Sequence, residues 1–216
     1  MATPHIAGVA ALMLQQNPDM DPFAVKTALM NTSDDLKSDY SVFEVGAGRV
    51  DAYQAVHSNV SLQVLDKTSH VQNGEYVEID EITGSISFGN HYLDSADIKD
   101  SRTIKVMNNG QQEQTYKVEV EYHTARKGVQ DGVKNNIKIE TPNTLTVGAG
   151  SSEEITAGIV VPQSAEIGRY EGYIHVTNDA NPKETYQIPF AIRVSDKGID
   201  FAAPLSPSVT NDTPFH

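Results

Sequence analysis

Cysteine is absent from all 216 residues, which excludes disulfides, thiolate zinc sites and a cysteine nucleophile. A domain large enough to bury a core does not need disulfides, so the absence is neutral about compartment. Basic residues are scarce: 16 Lys and Arg stand against 29 Asp and Glu, for a formal net charge of -13. The chain lacks the basic footprint that displaces counterions from nucleic acid or holds a protein to an anionic membrane surface. Its acids are spread along the whole length, as a solvated surface requires. No run reaches the roughly 20 apolar residues that cross a bilayer, so membrane insertion is not expected. Residues 6–14 are apolar and near the start, but no Lys or Arg precedes them and Gln15-Gln16-Asn17-Pro18 follows, unlike the flanks of a signal peptide. The histidines (His5, His57, His70, His91, His123, His175 and His216) are scattered, without a metal-binding helical spacing. Asp94, Asp97 and Asp100 offer hard oxygens suited to calcium, yet lack the EF-hand spacing and read as a solvated loop. Asn31, Asn59 and Asn211 head glycosylation sequons, a tripeptide too short to carry weight.

What is present falls into two textures. In the first third, Thr3 reads as an N-cap with Pro4 at the first helical position, residues 6–14 follow, and Asn17-Pro18 ends the run. This helix is apolar nearly all round, which demands cover from other elements or leaves apolar surface exposed. A second helix is capped by Asp21, opened by Pro22, and aligns Val25, Ala28 and Leu29 on one face. Gly46-Ala47-Gly48 leads into a third over residues 51–56; without the fuller glycine pattern it is no phosphate loop. From about Ser61 the pattern alternates with period 2. Strands are expected near 61–65, 76–79, 83–88, 103–107, 115–122, 136–139, 155–161, 170–177 and 186–194. Asn108-Asn109-Gly110 predicts a hairpin joining Ile104 and Val106 to Tyr116, Val118 and Val120. Short strands with no helices between them predict an antiparallel sandwich, and a mainly β chain overall. The expected division is a helical unit over 1–58, a sandwich over 59–198, and a Pro-, Ser- and Thr-rich linker or frayed tail over 199–216.

Met1-Ala2-Thr3-Pro4-His5-Ile6-Ala7-Gly8 resembles the nucleophile motif of subtilisin-like serine proteases, Gly-Thr-Ser-Met-Ala-x-Pro-His-x-Ala-Gly, joined just after its serine. Leu29-Met30-Asn31-Thr32-Ser33 is similar to the Leu-Met-x-Thr-Ala that closes the next subtilase helix, and Gly46-Ala47-Gly48-Arg49-Val50-Asp51-Ala52 to the end of the catalytic domain. Phe88-Gly89, the stretch from Val106 to Tyr116, Gly168-Arg169-Tyr170-Glu171-Gly172-Tyr173-Ile174 and Ile188-Pro189-Phe190 resemble the fibronectin type III-like domain that large secreted subtilases carry next. The layout is most similar to the minor extracellular, Vpr-type members.

The resemblance implies a short helical remnant of a subtilisin-like α/β catalytic domain followed by a fibronectin type III-like sandwich. It places the nucleophile directly before Met1 and the remaining triad and oxyanion residues further upstream, so this chain would hold no catalytic residue. Met1 would border the leaving-group side of the cleft, Thr3 and Pro4 would set the helix start, and His5 would be a helix residue rather than the catalytic histidine. The complete protein would cleave polypeptide substrates through an acyl-enzyme, outside the cell or at its envelope. No cofactor is implied, calcium being the one candidate ion in the parent protein. The sandwich would be an accessory domain; the alternative is a free-standing binding or adhesion module. The first helix, deprived of cover, is expected to favour self-association.

Overall fold

The computed structural model describes residues 2–36, 40–124 and 128–196. Met1, the tail over 199–216, and with it Asn211 and His216, lie outside the described residues. Among these residues four helices come first: α1 (Ala2–Gln16), α2 (Pro22–Asn31), α3 (Val42–Val45) and α4 (Ala52–His57). Two have a clear local cause, which for α2 is the expected one. Asp21 accepts the Ala24 N–H at 2.7 Å to cap α2, and Asp51 accepts the Gln54 N–H at 2.9 Å to cap α4. α1 departs from expectation at its start. It begins at Ala2, so Thr3 lies inside the first turn and is not the cap. Pro4 sits there too, where an N–H has no intrahelical partner to lose. α3 is unexpected, and its cause is a capping box between Ser41 and Glu44.

Among the described residues ten strands follow: β1 (Val60–Gln72), β2 (Glu75–Thr83), β3 (Ile86–Leu93), β4 (Ile98–Asn108), β5 (Gln114–His123), β6 (Lys138–Glu140), β7 (Thr144–Val147), β8 (Ser151–Val161), β9 (Gly168–Asn178) and β10 (Thr185–Asp196). They form two five-stranded sheets, ordered β2-β1-β4-β8-β6 and β3-β10-β9-β5-β7. Pairing is antiparallel apart from β3, which runs parallel to β10. Alternate residues face inward, so Leu62, Val64, Ile104, Val106 and Ile159 of one sheet share a dry core with Phe88, Tyr116, Ile174, Ile188 and Phe190 of the other. The chain is thus mainly β, a sandwich with short helices ahead of it.

The hairpin expected across Asn108-Asn109-Gly110 is not formed. β4 pairs with β1 and β8, whereas β5 pairs with β9 and β7 in the opposite sheet. Neither Asn109 nor Gly110 takes the positive φ that a two-residue hairpin turn demands. Instead the buried Asn108 side chain holds an arch between the sheets. Its amide donates to the carbonyls of Gln112 (2.8 Å), Val147 (3.1 Å) and Gly148 (3.2 Å), and its oxygen accepts the Gly110 N–H at 2.9 Å. The tight hairpin lies at the other Asn-Gly, Asn73-Gly74, where φ is 54° and 85° and β1 turns directly into β2.

Candidate functional site

The motif residues Ala2, Thr3, Pro4, His5 and Gly8 occupy the first two turns of α1, and all are exposed. A methyl group built at Gly8 would meet nothing within 4 Å. Mid-helix glycine costs roughly 0.5–1 kcal/mol relative to alanine, and no neighbour among the described residues requires it. Of this apolar helix only Val9 and Met13 are buried, against Ala28 of α2 and Ala55 of α4. Ile6 (38%), Leu12 (51%) and Leu14 (41%) remain exposed. Ile6, Ala10 and Leu14 line a shallow apolar groove whose other wall is Met20, Val25, Leu29 and Met30. This face has the composition of a core without the cover of one.

Behind the groove, the helical segment sits on the sandwich through polar groups. Asn31, the last residue of α2, is fully buried. Its oxygen accepts the Leu62 N–H at 2.9 Å, where β1 runs on past its neighbour β2, and its amide donates to the Gln187 carbonyl at 3.4 Å. Gln187 returns the contact: its side-chain amide donates to the carbonyls of Ser33 (2.7 Å) and Ala47 (2.5 Å). The Gly-x-Gly turn lies alongside. Gly48 has φ 116°, and a Cβ there would strike the Asp34 carbonyl. That contact allows Asp34 and Arg49 to exchange main-chain hydrogen bonds of 2.7 and 2.9 Å. The glycines therefore serve chain packing and not phosphate.

A second anchor is Glu171 on β9, whose side chain is completely buried. One carboxylate oxygen accepts the Ser41 hydroxyl at 2.8 Å and the other the Val42 N–H at 3.0 Å. His123 Nδ1 lies 3.7 Å from the same carboxylate. Beside them the Tyr173 hydroxyl donates to the Gly46 carbonyl at 3.1 Å. Burial, reinforced by the carboxylates of Asp35, Glu171 and Glu121, pushes this phenol up to about 12. Serine, histidine and carboxylate thus meet, but in the wrong order for nucleophilic catalysis. Activation needs the serine O–H donated to imidazole and the acid on the far side of the ring. Here Ser41 donates to the acid, and Glu171 with Ser41 and Val42 holds α3 against the sheet. Sequence reasoning missed this anchor because Ser41 and Glu171 are 130 residues apart.

The remaining candidates do not converge. Asp97 accepts the Gln163 N–H at 3.0 Å, while Asp100 pairs with Arg102 at 2.8 Å and lies 3.4 Å from His91. Among the described residues no group of three or more His, Asp or Glu could hold a metal ion. The Asn31 sequon is closed to modification in the folded chain, since both polar atoms of its amide are buried and bonded.

Comparison with known proteins finds two separate matches along the chain. Residues 1–48 match the Subtilase family, and residues 92–191 match an Fn3-like domain. Serine protease AprX of Bacillus subtilis is 51% identical over 57 residues, which are 26% of this chain and 12% of that protein. Subtilisin-like protease SBT4.8 of Arabidopsis thaliana is 33% identical over 76 residues, 33% of this chain and 11% of the relative. Subtilisin-like protease SBT1.9 of the same plant is 48% identical over 50 residues, 23% of this chain and 6% of the relative. The chain therefore spans only a small part of the length of each relative. The matches identify a family rather than a subgroup within it, and they favour a protease-derived chain over a free-standing adhesion module. Over residues 1–48 the chain matches the subtilase family, and it joins that helical segment to a sandwich whose residues 92–191 match an Fn3-like domain.

Proposed function

We propose that this chain forms the carboxy-terminal part of a subtilisin-like serine endopeptidase that hydrolyses polypeptides outside the cell. In this reading α1 is the helix behind the nucleophile, and Met1 adjoins the serine. The sandwich is an accessory domain that grips the catalytic unit through Asn31, Gln187 and Glu171. The observation that carries it is the face of α1: a subtilase motif on a helix with apolar side chains exposed and room left at Gly8. That face is suited to the rest of a catalytic domain. No cofactor is assigned to this chain. Acylation requires a nucleophile, a base and oxyanion donors, none of which the motif places here, so the isolated chain is inactive. Its uncovered face makes self-association the expected behaviour in solution.

The test begins with the codons directly upstream of Met1. An in-frame Gly-Thr-Ser, and fluorophosphonate labelling of that serine in the extended product but of none in the 216-residue chain, supports the reading. Labelling of a unique serine within the 216 residues, or an extended product with the triplet that stays unlabelled when folded, overturns it.

A further inference from the structure

The β1–β2 hairpin projects beyond the sandwich. β1 stays beside β4 only as far as Leu65, and from Lys67 to Asp80 every residue except Val77 is exposed. β2 is the outermost strand of its sheet. The two-residue turn makes Gln72 and Glu75 a hydrogen-bonded pair, and the register continues without a bulge to Val64 and Thr83. Hydrogen-bonded and non-bonded pairs alternate along an antiparallel ladder. The main-chain N–H and C=O of Tyr76, Glu78 and Asp80 therefore point away from β1. Leu62 confirms the parity: two residues before Val64, its N–H leaves β4 on the β2 side, where Asn31 takes it. Among the described residues nothing pairs with the outward groups of Tyr76, Glu78 and Asp80.

The edge is acidic. β2 carries Glu75, Glu78, Asp80 and Glu81, and the only Lys or Arg on either strand is Lys67. Lys67 bonds Glu78 at 3.0 Å, which leaves Glu75, Asp80 and Glu81 without a salt bridge among the described residues. Tyr76 is 83% and Ile79 43% exposed on the same strand. Charge on an edge strand normally deters pairing, but charge of one sign deters only strands of that sign. A second copy would set acid opposite acid, which is destabilising, between chains of net charge -13.

We propose that β2 is a docking edge for an extended cationic polypeptide segment, with Lys or Arg at alternate positions, that joins the sheet as a further strand. Main-chain hydrogen bonds to Tyr76, Glu78 and Asp80 supply the attachment. Alternating side chains supply the selection: on one face of the added strand, cations lie against Glu78 and Asp80, and on the other, apolar groups lie against Val77 and Ile79. The hairpin lies between the subtilase and Fn3-like matches, and the inference holds whether or not the chain belongs to an active protease.

The experiment uses the full chain and an alternating Lys-Val decapeptide, with an alternating Glu-Val decapeptide as control. Amide hydrogen exchange at Tyr76, Glu78 and Asp80 should slow with the Lys peptide and not with the Glu peptide, while β9 amides are unchanged. Glu78→Lys with Asp80→Lys should weaken binding about tenfold or more, an effect of like charges placed opposite. Tyr76→Pro keeps every acid but removes an outward N–H, which an edge strand tolerates; it should weaken binding to a similar extent. Absence of binding overturns the proposal. So does binding that leaves those amides unprotected or survives Tyr76→Pro, since that is diffuse charge attraction only.

Discussion

Asn31 and Gln187 hold each other across the boundary between helices and sandwich: the Asn31 amide donates to the Gln187 main chain, and the Gln187 amide donates to the segment that follows Asn31. Asn31 also caps the Leu62 N–H, so one buried side chain from α2 closes an end of each sheet.

Replacing Asn31 by alanine strands the Leu62 N–H in a dry site. A buried donor without a partner costs about 1–3 kcal/mol. Asn31→Ala should lower the urea stability by that amount, and Gln187→Ala should lower it comparably. Because Asn31 bonds the Gln187 main chain and both side chains lie in one hydrogen-bond network, the double variant should depart from additivity by at least about 0.5 kcal/mol. Strict additivity would mean that the two residues act independently.

Glu171 invites a graded test. Gln keeps one carbonyl oxygen for either Ser41 or Val42 but turns an NH2 toward the other donor. Ala abandons both. Each buried donor left unpaired costs about 1–3 kcal/mol, so Glu171→Ala should be the more destabilising of the two. The Val42 amide should exchange faster in the Ala variant. Equal stability of the three proteins would remove Glu171 from the seat.

How far the sequence could be read depends on the range of each interaction. The cap of α2 was legible because Asp21 bonds three residues ahead, whereas Asp51, read as the first helical residue, proves to be the cap of α4. The motif on α1 was legible through family resemblance alone. Ser41 and Glu44 carry an equally local signal, yet a helix of four residues is too short to show a period. The two Asn-Gly pairs show the limit. Asn109-Gly110 is flanked by the stronger alternation, yet β4 finds its partner in β8, with Lys105 opposite Glu154. Sheet membership is decided by that distant pairing and not by the dipeptide. β7 escaped notice because four residues, Thr144–Val147, hold too little pattern. The anchors escaped because nothing in the chain near Gln187 says that Asn31, 156 residues away, lies opposite.

Two glycines of the subtilase-like segment should respond in opposite directions. Gly8 is mid-helix with open space around it, so Gly8→Ala should raise the stability of this chain by about 0.5–1 kcal/mol. Gly48 holds φ at 116° against the Asp34 carbonyl, a backbone state that costs a side chain about 1–3 kcal/mol before any clash. Gly48→Ala should destabilise by at least that much. In the complete protease the Gly8 variant should instead lose activity if the vacant face receives the rest of the catalytic domain. A stabilised chain together with an unimpaired protease would dissociate α1 from that role.

The tyrosines set the alkaline limit. Tyr116 is pushed up to about 12 by burial and by Glu184, and Tyr170 to about 12 by burial and by Glu166. Tyr173 reaches the same range, and burial also raises Tyr122 and Tyr186. A phenol in the unfolded chain ionises near about 10. Below that pH neither state is ionised, and the stabilisation is whole. Between about 10 and 12 only the unfolded state releases protons, so stability falls as pH rises. Phenolate absorbance should therefore lag in the native protein relative to the urea-unfolded chain, and the late phase should coincide with loss of the sheet signal. Tyr116 sharpens the test, because its buried hydroxyl has no hydrogen-bond partner among the described residues. Tyr116→Phe removes an unsatisfied polar atom, which should leave stability at neutral pH unchanged or higher by about 1 kcal/mol, and should make the alkaline decline shallower. Lower stability of that variant at neutral pH would show that the hydroxyl is bonded in solution.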